Sequence, residues 1–182
     1  MKVVIAGPSR SGKTKITNLL SQSSGEYNNS HFYDSKANDN LKYIATKGCR
    51  IVEVEFPDII NSSIEFWDIG GSCCREHNGY LPAIMDNADG IIFVYNPLDP
   101  LQSSEIEVWH ELMMRNTVNQ IDGKACLVLM HYSSEDNIKL RESDENCLPF
   151  LSKYLIHRTN NFTGGKEFRQ YVSMFIARLI RK

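Results

Sequence analysis

An α/β fold is predicted from two observations. Short apolar strands alternate with helical patterns along the chain, and the first strand runs into a glycine-rich loop that opens a helix. Residues 3–6 form a buried strand, and residues 13–21 continue as a helix. Residues 21–40 are rich in Ser, Asn and Asp and read as a mobile connection. Residues 49–56 alternate apolar and polar side chains, 57–62 form a turn, and 63–68 return as a strand, so the pair reads as a hairpin. Residues 89–95 are a further strand. Residues 103–116 are helical, with Ile106, Trp109, His110 and Met113 at helical spacing. A strand over 124–130 precedes a polar loop over 132–146, and 154–157 is a short last strand. The final helix carries a core stripe of Phe168, Val172, Phe175, Ile176 and Leu179.

Composition narrows the function classes. A length of 182 residues fits one ordinary domain spanning 1–182, and 42% hydrophobic content suffices for a sizeable core. A net charge of -2 without a basic stripe argues against nucleic acid as a partner. No apolar run approaches the roughly 20 residues of a membrane span. The first residues show no secretory pattern. Lys2 is incompatible with N-myristoylation, and no terminal Cys is available for prenylation, so no lipid anchor is expected. The odd count of five cysteines, without a C-x-x-C pair, reads as reduced thiols. The adjacent Cys73 and Cys74 have no second pair to complete a zinc shell.

The chemistry concentrates in Gly7-Pro8-Ser9-Arg10-Ser11-Gly12-Lys13-Thr14, a full G-x-x-x-x-G-K-[ST] match between a strand and a helix. Its glycines let backbone N–H groups curl around phosphate oxygens, and the helix start adds a positive dipole end. Lys13 supplies a point charge between β- and γ-phosphates, and Thr14 offers a hydroxyl to magnesium. A second element is Phe66-Trp67-Asp68-Ile69-Gly70-Gly71. Asp68, at a strand end, is placed to hold magnesium through water, and Gly71 lets its N–H approach a γ-phosphate. The third is Thr46, placed just before the hairpin to coordinate magnesium and sense the γ-phosphate. A purine nucleoside triphosphate with magnesium is the ligand these three elements fit.

Gly7 to Thr14, Thr46 and Trp67-Asp68-Ile69-Gly70-Gly71 resemble the first three motifs of the Ras-like small GTPases. More narrowly, Gly-Pro-x-x-Ser-Gly-Lys-Thr, Thr-x-Gly-x-Arg-Ile-x-Glu-x-Glu from Thr46 to Glu55, and Trp-Asp-x-Gly-Gly resemble the Rab-like GTPases of intraflagellar transport. The resemblance implies a three-layer Ras-like G domain: a mostly parallel six-stranded sheet with one antiparallel strand and helices on both faces. It implies GTP or GDP with Mg2+ as ligands. Coiled-coil subunits of the intraflagellar transport complex B are the implied partners, at a cilium or flagellum and its base in the cytoplasm.

Three positions depart from a cycling GTPase. Ser72 stands where the family has the Gln that orients the attacking water, so hydrolysis is expected to be very slow and no catalytic residue is nominated. His131 and Tyr132 stand where Asn-Lys-x-Asp reads guanine. Losing the Asp bonds would cost roughly 1.5–3 kcal/mol, although Asp136 lies close by in sequence. Arg158 and Thr159 occupy the place of the Ser-Ala-Lys motif behind the base, where backbone N–H groups remain available. These four complete the expected nucleotide contacts.

The leading expectation is therefore a nucleotide-dependent docking module whose switches span residues 28–48 and 69–80. A small P-loop phosphotransferase is the alternative enzyme, but the acidic 132–146 segment holds only Arg141 and Lys139 where such kinases carry several lid arginines. A cycling membrane-traffic GTPase is disfavoured by Ser72 and by the missing lipid site.

Overall fold

The computed structural model describes residues 1–21, 43–57, 59, 63–72, 78–117, 121–132, 148–160 and 165–181. The expected connection over 21–40 beyond Ser21, most of the 57–62 turn, Cys73 to His77, Asp136 and most of the 132–146 loop lie outside these residues.

The strands are β1 (Lys2–Ala6), β2 (Cys49–Glu55), β3 (Ser63–Ile69), β4 (Gly90–Tyr95), β5 (Cys126–Tyr132) and β6 (Leu155–Asn160). They form one sheet in the order β2-β3-β1-β4-β5-β6. Only β2 and β3 pair antiparallel, and every other neighbouring pair is parallel. The helices are α1 (Lys13–Ser21), α2 (Leu81–Met85), α3 (Pro100–Asn116) and α4 (Gly165–Ile180). This is the expected three-layer Ras-like architecture.

Strand alternation assigns each side chain to a layer. Val4, Ala6, Ile91, Phe93 and Val128 join α2 and α3 in one core. Their neighbours Val3, Ile5, Ile92, Val94 and Leu127 join α1 and α4 in the other. The central strands β1, β4 and β5 are buried on both faces, as parallel strands covered by helices require, while the edge strand β2 keeps much of its surface exposed. All five residues of the predicted α4 stripe are buried. Arg169 of α4 adds a clasp: its Nη1 and Nη2 donate to the carbonyls of Leu20 and Glu55, each at 2.5 Å. Its guanidinium also lies 4.6 Å from the Phe56 ring centroid.

The boundaries that moved have identifiable causes. α3 begins at Pro100 rather than 103 because Asp99 caps it, accepting from Leu101 N–H at 3.0 Å, with Pro100 as the first helical residue. α2 is too short to show a helical period. β5 starts and ends two residues later than predicted, and this corrects the placing of His131 and Tyr132 in a loop. Both pair with β6, opposite Thr159 and Asn160, so the last strand also runs three residues further than its apolar run suggests.

On α3, His110 Nε2 lies 2.6 Å from the Tyr154 hydroxyl, and its ring packs against Phe93 and Phe150. Burial, reinforced by the Lys153 charge and opposed by Glu111 and Glu107, holds its pKa below the ordinary 6.5. The folded protein thus binds fewer protons here than the unfolded chain. Its stability rises with pH through the window just under 6.5 and is lost on acidification. Urea unfolding of a His110→Phe protein is expected to show a shallower loss of stability below pH 6.5. An unchanged slope would remove His110 as its source.

Candidate functional site

The phosphate loop is held open by backbone proximity. Gly7 adopts φ 149°, and a Cβ there would sit 2.0 Å from the Val94 carbonyl oxygen. Gly12 adopts φ 94°, and a Cβ there would lie 2.5 Å from His131 Cδ2. Side chains are thereby excluded on the strand side of the loop, and α1 starts directly beyond it. Arg10 takes φ 63°, an uncommon conformation for a non-glycine residue.

Lys13 is 5% exposed, and its ammonium donates to the carbonyls of Gly7 at 2.7 Å and Pro8 at 2.6 Å. Those bonds fold the side chain back along the inner wall of the loop. Ser11 is almost wholly buried, and its Oγ has no hydrogen-bond partner among the described residues. A cleft of about 610 Å³ opens above, lined by Arg10 to Lys15, Asn18, Tyr43, Ile44, Thr46 and Gly71. Arg10 reaches across its mouth, with the guanidinium 5.0 Å from the Tyr43 ring centroid.

Thr14, Thr46 and Asp68, drawn from three separate segments, meet at one point. Thr14 Oγ1 lies 2.9 Å from Thr46 Oγ1 and donates to Asp68 Oδ2 at 2.7 Å. The other carboxylate oxygen of Asp68 is buried without a partner among the described residues. Two hydroxyls and one carboxylate are hard donors that suit Mg2+, which favours oxygen and retains several waters. No cluster of three His, Cys, Asp or Glu side chains fit to hold a metal occurs among the described residues. Burial pushes the Asp68 carboxyl above its usual pKa, opposed by the Thr14 hydrogen bond and the charges of Lys13 and Arg50.

Gly71 touches the phosphate loop, for a Cβ there would lie 2.4 Å from Ser9 Cα and N. Ser72 follows it, half-buried. The four residues nominated for base contacts take these positions. His131 is 6% exposed and packs under Gly12, while Tyr132, 2% exposed, belongs to the core beneath α3. Arg158 is exposed on the edge strand β6 and Thr159 is buried within it. None of the four lines the cleft. Lys15, Asn18, Tyr43 and Ile44 line it without having been anticipated. Asn18 was open to inference, because it lies one helical turn beyond Thr14 on the same face.

A six-stranded sheet with one antiparallel edge strand, a phosphate loop after β1, and a Thr–Thr–Asp cluster beside it define a Ras-like P-loop domain. No family model matches the chain. It is 31% identical over 98% of its length to the intraflagellar transport protein 22 homolog of Xenopus tropicalis, covering 89% of that protein. The human homolog is 27% identical, over 98% of this chain and 89% of its own. The chain belongs to the intraflagellar transport protein 22 family. Among solved structures, the GDP-bound crystal structure of T. brucei IFT22 superposes with a TM-score of 0.69 at 26% identity, covering 100% of this chain and 97% of that one. The GTP-bound crystal structure of T. brucei IFT22/74/81 gives 0.68 at 28% identity, with 100% and 98% covered.

Proposed function

We propose that this chain binds GTP and GDP with Mg2+ in the cleft above Gly12 and Lys13, and serves as a subunit of the intraflagellar transport complex B in a cilium or flagellum. The meeting of Thr14, Thr46 and Asp68 carries this reading, because one cation there would tie the phosphate loop to both loops flanking the β2–β3 hairpin. When bound, magnesium would be held by Thr14, Thr46 and Asp68 and would neutralise phosphate charge. Lys13 would turn from the Gly7 and Pro8 carbonyls toward the phosphates, and Gly71 would present its N–H to the terminal one.

Ser72, in place of the Gln of ordinary small GTPases, supports very slow hydrolysis, since a Ser hydroxyl is too short to span water and γ-phosphate. The module then acts by docking. Triphosphate contacts at Thr46 and Gly71 exist in only one nucleotide state and set the shape that coiled-coil partners meet. The solved T. brucei IFT22/74/81 assembly supports partners among other subunits of the complex.

Titration of the purified chain with GTP, GDP and ATP in magnesium tests the reading. Guanine nucleotides are expected to bind and ATP to bind more weakly. No binding of any of the three would sink it. Comparable ATP affinity would make the base site unselective, consistent with the placing of Tyr132 in the core.

A further inference from the structure

The β2–β3 register sets Arg50 directly opposite Asp68. Arg50 Nη2 lies 3.6 Å from Asp68 Oδ2 and 3.5 Å from the Thr14 carbonyl oxygen. Its side chain is 39% exposed, while that of Asp68 is fully buried. A permanent positive charge therefore stands against the same carboxylate oxygen that accepts from Thr14.

Resting on the nucleotide reading above, we propose that Arg50 is a built-in cation that loosens the dependence of nucleotide binding on magnesium. It acts in two ways. The guanidinium competes with the metal's water shell for Asp68 Oδ2, the oxygen that also accepts from Thr14. It would also repel a dication held by Thr14, Thr46 and Asp68 in a partly buried site, where screening is weak. Both effects lower the free-energy coupling between magnesium and nucleotide, and by linkage each ligand then gains less from the other. Arg50 is a positioning residue in this account, since it touches Asp68 and the Thr14 backbone rather than the phosphates.

The test compares the Kd for a fluorescent GDP analogue in millimolar magnesium and in EDTA, using the full chain. In the wild-type protein, EDTA is expected to raise Kd less than about tenfold. In Arg50→Gln, which keeps a polar side chain but drops the charge, the EDTA-to-magnesium ratio is expected to grow about tenfold. Arg50→Lys, which keeps the charge, should hold the ratio near that of the wild type. A purely structural Arg50 would alter stability and both Kd values together and leave the ratio alone. An Arg50→Gln ratio equal to the wild-type value overturns the proposal. A wild-type loss beyond tenfold in EDTA does so as well, even if Arg50→Gln fails to fold. Failure of the wild type to bind in magnesium is a different result: it removes the nucleotide reading itself, and this inference with it.

Discussion

A Gly7→Ala protein is expected to lose about 2–6 kcal/mol of stability, about 1–3 from its backbone angle and about 1–3 from forced overpacking. The angle is φ 149°, which L side chains rarely adopt, and the added methyl would stand 2.0 Å from the carbonyl oxygen of Val94. That oxygen belongs to a fully buried strand at the centre of the sheet and cannot retreat without moving its neighbours. Glycines elsewhere calibrate the effect. Gly48 has a positive φ of 66° but nothing within 4 Å of a Cβ, so Gly48→Ala reports backbone strain alone. Gly79 has neither restriction. Urea unfolding should rank the losses Gly7, then Gly48, then Gly79. A Gly7→Ala protein as stable as Gly79→Ala would mean the loop is not pinned to β4 by close backbone contact.

Lys13→Ala is expected to weaken GDP binding at least about a hundredfold, since two charge-assisted hydrogen bonds at about 1.5–3 kcal/mol each are lost from a water-poor wall. The ammonium bridges the Gly7 and Pro8 carbonyls at 2.7 and 2.6 Å, drawn into the loop and largely out of solvent. Lys13→Arg should not rescue, because a planar fork does not fit where a point charge is only 5% exposed. Titration calorimetry measures both variants. Affinity retained within a few-fold in Lys13→Ala would place the phosphates away from this loop.

The parts of the fold legible in the sequence were those governed by local pattern. The α4 stripe and the β2–β3 alternation carry their own period, and Gly7 to Thr14 carries its own turn chemistry. His131 and Tyr132 were misplaced because strand β5 outlasts its apolar run. What keeps the two residues extended is pairing with β6, a contact more than twenty residues away in sequence. The same long-range dependence hid Arg50. Its place opposite Asp68 follows from hairpin register, which a turn of uncertain length does not fix. Thr14, Thr46 and Asp68 were each nominated from separate motifs, and the structure brings them within hydrogen-bonding distance. The base-reading end was the least legible, because no side chain there belongs to a recognisable motif and the loop after β5 lies outside the described residues.

The hairpin joins what the sequence separates. Gly70 N–H donates to the Gly48 carbonyl at 2.8 Å, and Gly70 lies so close to the Thr46 carbonyl oxygen that a Cβ would be 2.3 Å from it. The segment before β2 and the segment after β3 are therefore stitched together at their roots, at the same end of a seven-rung ladder. A pull on Thr46 is transmitted to Gly70 through backbone alone, without any side chain as go-between. The two loops beside the cleft share one hinge, so a ligand that grips either of them sets the position of both.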